Sequence, residues 1–157
     1  MTSSLLNLLT PDRLIGRLAV ATKAEALSAM AERAAAAVGL PDETVLQALR
    51  RRETLGSTAI GHGVAIPHAV LPALGHSFAL FALTAAPIPF EALDGQPVSA
   101  IFLFLTPQDC AAESTHLLAQ VCRALRQSAA IPLLRRAAGE GTLHDALTSL
   151  FGPRRAA

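Results

Sequence analysis

SFALFALTAAPIPFEALDGQPVSAIFLFLT, residues 77–106, carries two compact apolar runs of strand length, SFALFAL and VSAIFLFL, with Asp94-Gly95 between them. Apolar runs of this length suit strands, and Asp-Gly supplies a turn that lets two of them pair antiparallel. The middle of the chain therefore reads as sheet. Upstream, Thr22-Lys-Ala-Glu25 is a capping-box pattern that opens TKAEALSAMAERAAAAVGL, an alanine-rich helix closed by Gly39. PDETVLQALRRRE follows as a second helix, with Pro41 and two acids at its start, Val45, Leu46 and Leu49 on one face, and Arg50 to Arg52 at the favourable C-terminal end. Downstream, ESTHLLAQVCRAL spaces Leu117, Leu118, Val121 and Leu125 as a helix, and Thr142-Leu-His-Asp145 is a box-like start for a last short one. Helices flank a central sheet, and the chain shows no internal repeat.

The bounds agree with a single domain. The chain has 157 residues, long enough to bury most of the surface its unfolded form exposes. Thirteen Lys and Arg against twelve Asp and Glu leave a net charge of +1, which gives no electrostatic reason to expect nucleic acid or an acidic membrane surface. No apolar run approaches the roughly 18 residues of a membrane span, so the protein is expected not to be membrane-embedded. The opening MTSSLLNLLTPDR lacks the basic head and apolar core of a secretory signal, and Cys110 and Cys122 form no metal-type or CxxC spacing. A cytoplasmic protein with reduced thiols is expected.

The chemistry concentrates in RRETLGSTAIGHGVAIPH, residues 51–68. Gly56, Gly61 and Gly63 interrupt helical continuity, VAI at residues 64–66 reads as a short extended segment, and His68 sits just beyond it. Neutral imidazole has a lone pair on one nitrogen, so it can attack a phosphoryl group without first losing a proton if the other nitrogen is held in the right tautomer. The phosphoryl oxygens then need guanidinium, hydroxyl and backbone N–H donors. Arg52, Ser57, Thr58 and the glycine turns lie close enough in sequence to supply them, and Pro67 stiffens the backbone beside the nucleophile.

RETLGSTAIGHGVAIPH resembles the active-site segment of the IIA domains of the fructose, mannitol and nitrogen class in the bacterial phosphotransferase system. The resemblance extends over roughly residues 5–151 through LLTPDRLIGRLAVATKAEAL, VLQALRRRETLGST, PIPFEALDGQPVSAIFLFLTP and the HLL segment at residues 116–118, in the same order. It implies a three-layer α/β/α sandwich with a central mixed sheet, one domain occupying residues 1–157, with residues 152–157 a frayed tail. By position, His68 matches the phosphorylated histidine, Arg52 the arginine that stabilises the phosphoryl group, His116 a second, supporting histidine, and Ser57 and Thr58 the hydroxyl pair of a phosphate-binding loop. The implied reaction is transfer of a phosphoryl group from the phosphohistidine of a small histidine phosphocarrier protein onto His68, ordinarily on the ε nitrogen of its imidazole, with no metal and no organic cofactor. Sugar-transporting members pass the phosphate to a cysteine on a IIB domain, whereas nitrogen-type members use phosphorylation to control binding to regulatory targets. PIPFEALDGQPV looks closest to the nitrogen type, so a regulator is expected, with fructose- or mannitol-type relay as the alternative.

Two positions depart from the pattern. Ala59 stands where a glycine usually follows the Ser-Thr pair, so a positive φ there would strain the loop by about 1 kcal/mol or more. Ala69 and Val70 follow His68 where a glycine and a basic residue are common, which removes a charge. Other chemistries find little support: His62 and His68 with Cys110 or His116 fit no standard metal spacing, and the G-x-G at residues 61–63 has no third glycine. Cys122 reads as helix packing, Cys110 as an exposed thiol, and His76 and His144 as surface or capping residues.

Overall fold

The computed structural model describes residues 5–152. The chain runs α1 (Leu5–Leu8), a 3-10 turn (Pro11–Arg13), β1 (Leu14–Leu18), α2 (Lys23–Val38), α3 (Asp42–Thr54), β2 (Ala59–Gly61), β3 (Val64–Ala65), β4 (His68–Val70), β5 (Phe78–Ile88), β6 (Val98–Thr106), α4 (Ala111–Leu125), α5 (Ala130–Gly139) and α6 (Leu143–Phe151). The six strands form one mixed sheet in the order β1-β5-β6-β3-β2, with β4 also on β6. β5 and β6 are its antiparallel centre; β1 is parallel to β5, and β3 and β4 are parallel to β6.

The apolar runs are continuous because both faces of the sheet are covered. Leu80, Ala82, Ile101, Leu103 and Leu105 pack with Leu27, Met30, Val45 and Leu49 of α2 and α3. The alternate residues Ala79, Phe81, Leu83, Phe102 and Phe104 pack with Leu117, Val121, Leu134 and Leu147 of α4, α5 and α6. Three α/β/α layers result, as the resemblance implied.

The helix signals mostly behave as read. The Thr22 hydroxyl accepts the Glu25 N–H at 3.1 Å, the Glu25 carboxylate accepts the Ala21 N–H at 2.8 Å, and Gly39 ends α2 with φ 72°. At the last helix the box does not form: the Thr142 hydroxyl donates to Ala137 O at 3.3 Å and does not cap α6. The expected frayed tail lies outside the described residues beyond Gly152. Among the described residues, no helix is long and apolar enough to cross a membrane.

β3 and β4 are one extended path along β6, interrupted at residues 66–67. Ala65 opposes Ile101 and His68 opposes Phe104, so the register is the same on either side of the break. Pro67 has no N–H to give, but its carbonyl still accepts Phe104 N–H at 2.9 Å. His68 is thus the first residue of a strand rather than a point beyond one. β2 pairs with β3 and not with β4, which leaves His68 on an open margin of the sheet.

Candidate functional site

Two hydrogen bonds decide the state of His68. Its Nδ1 lies 2.8 Å from Ile66 O, and Arg52 Nε donates to its Nε2 at 3.3 Å. A carbonyl can only accept and a guanidinium N–H can only donate, so both contacts require the proton on Nδ1 and the lone pair on Nε2. The nitrogen whose lone pair faces Arg52 is therefore Nε2. Arg52 is itself steadied by donation from its NH1 to Gly56 O at 2.9 Å, across the turn that ends α3. Half-buried His68 and Arg52 line a groove of about 440 Å³ with Ala48, Arg51, Leu55, Ala69 and Val70.

Behind this pair lies a buried network in which the sequence reading assigned no part to Glu53 or Lys23. Glu53, with its side chain 7% exposed, receives Lys23 Nζ at 2.6 Å and the Thr58 N–H at 3.2 Å, and the Thr58 hydroxyl also donates to it. Lys23 further lies 3.6 Å from Glu91 and 5.0 Å from the centre of the Phe90 ring. Thr58 O then accepts Ile66 N–H at 2.9 Å, and Ile66 O is the group that sets the His68 tautomer. The end of α3, the 55–58 loop and His68 are therefore connected bond by bond. One signal in the sequence points to this network: a lysine at the first position of a helix opposes the macrodipole and calls for a partner elsewhere.

Ser57 and Thr58 are brought to the loop behind the histidine, and both hydroxyl protons are engaged. Ser57 donates to Phe90 O at 2.6 Å and accepts Ala59 N–H at 3.2 Å, while Thr58 is 4% exposed and donates to Glu53. Ala59 lies in β2 opposite Ala65, and among the described residues the non-glycine residues at positive φ are His62 and Glu91, so the strain considered at Ala59 does not arise. His116 is exposed on α4. Residues opposed in register share a face, which puts His68 on the side of Phe104, the layer that α4 covers through Leu117 and Val121. No hydrogen bond joins the two histidines among the described residues.

Among the described residues, no three His, Cys, Asp or Glu side chains gather in a group that could hold a metal ion. Both cysteines are free thiols whose pKa is raised: burial raises Cys122, and burial with the nearby Asp109 and Glu113 carboxylates raises Cys110. Cys110 is partly covered rather than fully exposed, and Cys122 is likewise half-buried beside its leucines. His62 is exposed in the β2–β3 turn, where its backbone N–H is held by Asp94 at 3.1 Å. His76 is exposed, and the half-buried His144 contributes its carbonyl to the Thr148 hydroxyl.

A mixed sheet between helical layers, with a tautomer-locked histidine and an arginine at its margin, defines the class, and the whole-chain comparisons agree with it. Residues 7–149 match the family "Phosphoenolpyruvate-dependent sugar phosphotransferase system, EIIA 2", and the chain belongs to that family. More particularly, it is 39% identical over 141 residues to a nitrogen regulatory protein of Bradyrhizobium diazoefficiens, covering 90% of this chain and 92% of that one. The crystal structure of nitrogen regulatory protein IIA-Ntr from Neisseria meningitidis superposes with a TM-score of 0.83 at 25% identity, covering 94% of this chain and 98% of that one. A fructose-specific EIIA component of Haloferax volcanii is 30% identical over 131 residues, 83% of this chain and 85% of that one.

Proposed function

We propose that His68 Nε2 accepts a phosphoryl group from the phosphohistidine of a small phosphocarrier protein, and that the resulting phosphorylation state controls binding to regulatory protein targets in the cytoplasm. The observation that carries this reading is the double constraint on the imidazole, Nδ1–H on Ile66 O and the Nε2 lone pair beside Arg52. The Nε2 lone pair forms the new N–P bond while the donor N–P bond breaks and its electron pair returns to the donor nitrogen. Each ring keeps the proton on its other nitrogen, so the step needs no base and no metal. Arg52 follows the charge as it develops on the phosphoryl oxygens. His116 takes the supporting role from the α4 side, and Ser57 and Thr58 contact phosphate only when their hydroxyls leave Phe90 O and Glu53.

Charging is tested by intact mass with phosphoenolpyruvate, the first enzyme of the system and the phosphocarrier. One acid-labile phosphate on the wild type and none on His68→Ala is the expected result. An uncharged wild type beside a verified donor chain overturns the reading. The likeness to a fructose-specific component supports a second reading, relay of the phosphate to a IIB cysteine. Rapid discharge onto a IIB domain favours relay. A persistent phosphohistidine whose presence changes partner binding favours the regulator.

A further inference from the structure

The groove beside His68 contains a second guanidinium, that of Arg51, with no part in the proposed transfer. Ala48 and Arg51 of α3, with Leu55 just past its end, line one wall, and His68, Ala69 and Val70 of β4 line the other. Arg51 is exposed, and its side chain makes no hydrogen bond or ion pair among the described residues. Arg52 is in a different position, with Nε on His68 and NH1 on Gly56 O. When the Nε2 lone pair becomes an N–P bond, Arg52 Nε loses its acceptor and turns to a phosphoryl oxygen, but NH1 remains tied to the turn.

A phosphoryl group brings about −1.5 to −2 charge and three strong acceptor oxygens. One partly committed guanidinium does not match that. The hydroxyl protons of Ser57 and Thr58 are given to Phe90 O and Glu53, and Val70, two residues after the nucleophile, is 53% exposed and carries no charge. The uncommitted cation lining the same groove is Arg51.

We propose that Arg51 is a second phosphoryl-binding residue of this site, supplying the charge that residue 70 lacks. This rests on His68 being the acceptor. In the uncharged protein the side chain extends into solvent from the groove wall; in the phosphorylated protein it folds over Leu55 and Val70 and donates to a phosphoryl oxygen. Arginine stems pack along apolar surface while the head remains polar, which suits Leu55, 83% exposed, and Val70 as the floor of that path.

The test compares wild type, Arg51→Ala, and Arg51→Ala with Val70→Lys, charged by the phosphocarrier and, separately, by phosphoramidate, which has no protein surface to recognise. Arg51→Ala is expected to slow charging about 5- to 20-fold with both donors and to shorten the lifetime of the phosphohistidine, and lysine at residue 70 restores most of both. Arg51 is exposed, so an unchanged melting temperature accompanies the loss. Charging and lifetime equal to wild type in Arg51→Ala overturn this role while leaving His68 as acceptor. A defect with the phosphocarrier alone overturns it in favour of protein docking, and a wild type that no donor charges overturns both readings.

Discussion

Glu53 shows how one residue organises the site without touching the reacting atoms. It receives an ammonium, a backbone N–H and a hydroxyl while almost wholly out of water, so the carboxylate is matched on both oxygens. Removing one partner of a buried pair leaves the other charge uncompensated, which costs more than the pair is worth as a whole. Glu53→Gln is expected to destabilise the fold by about 2–4 kcal/mol, less than the full loss for a buried pair because Lys23 keeps Glu91 and the Phe90 ring. Urea denaturation measures it, and Lys23→Met in the same chain recovers part of the loss; an additive double variant would show the two residues to be uncoupled. Arg52 differs from Glu53 in that its fork spans two acceptors in a fixed plane, which a lysine cannot reproduce. Arg52→Lys is expected to lower the charging rate of His68 by about ten-fold or more with stability nearly unchanged, read by timed mass spectra against the melting temperature.

At the scale of elements, the site depends on where strands stop. The turn Gly61-His62-Gly63 sends the chain from β2 back into β3, and Gly63 has φ +78° with tight space beside it: an added Cβ would lie 3.0 Å from Ile131 Cδ1 of α5, which would have to shift by a few tenths of an ångström. Gly63→Ala is expected to cost about 1–2 kcal/mol from the left-handed backbone, with more from displaced packing. The loss appears as a lower denaturation midpoint. The same turn is tied to the β5–β6 connection by Asp94, whose carboxylate accepts the N–H groups of Gln96 and His62 at 3.1 Å each. Those two bonds, with the nearby His62, hold its carboxyl below the usual carboxylate range. A folded-state pKa below the unfolded one contributes stability that is complete above the unfolded value and is lost as pH falls through the folded one. Between neutral pH and the acid end of that window, the stability of wild type is therefore expected to fall more than that of Asp94→Asn, in which nothing titrates at this position. Parallel urea titrations at pH 7 and at about pH 3 check it.

For the whole molecule, stability rests on the sheet being covered twice. Phe102 is fully buried against the α4 to α6 layer, 6.4 Å from the Phe104 ring and 6.3 Å edge-on to Phe151. Phe102→Ala is expected to cost about 3–5 kcal/mol through lost burial and a cavity that close packing cannot fill, measured by denaturation. Within this frame the amphipathic and fully apolar segments are legible from their residues alone. α2 and α3 announce themselves by caps and spacing, and β5 and β6 by apolar runs around Asp94-Gly95. β1, LIGRL, has no such pattern, because Gly16 and Arg17 break the alternation and its strand state comes from pairing with β5. α5 begins AIP, and its Pro132 looks like a breaker until the structure places it in the first turn, where a helix has no use for that N–H.

The order of residues 51–68 determined by itself that a histidine, an arginine and a glycine-rich turn would lie within one short path, because their closeness along the chain bounds their separation. The apolar runs at residues 77–83 and 98–105 likewise determined a sheet in the middle of the chain, where apolar side chains on consecutive strand residues must be buried on opposite sides. The family resemblance already implied the ε nitrogen of His68; the tertiary structure alone supplied the physical reason the lone pair lies there, a carbonyl on one side and a guanidinium from another layer on the other. It alone decided that Thr58 faces Glu53 and that Glu53 pairs with Lys23 rather than with Arg52. Hydrogen-bond partners distant in sequence are selected by distances of a few tenths of an ångström, which exist only once the layers have packed.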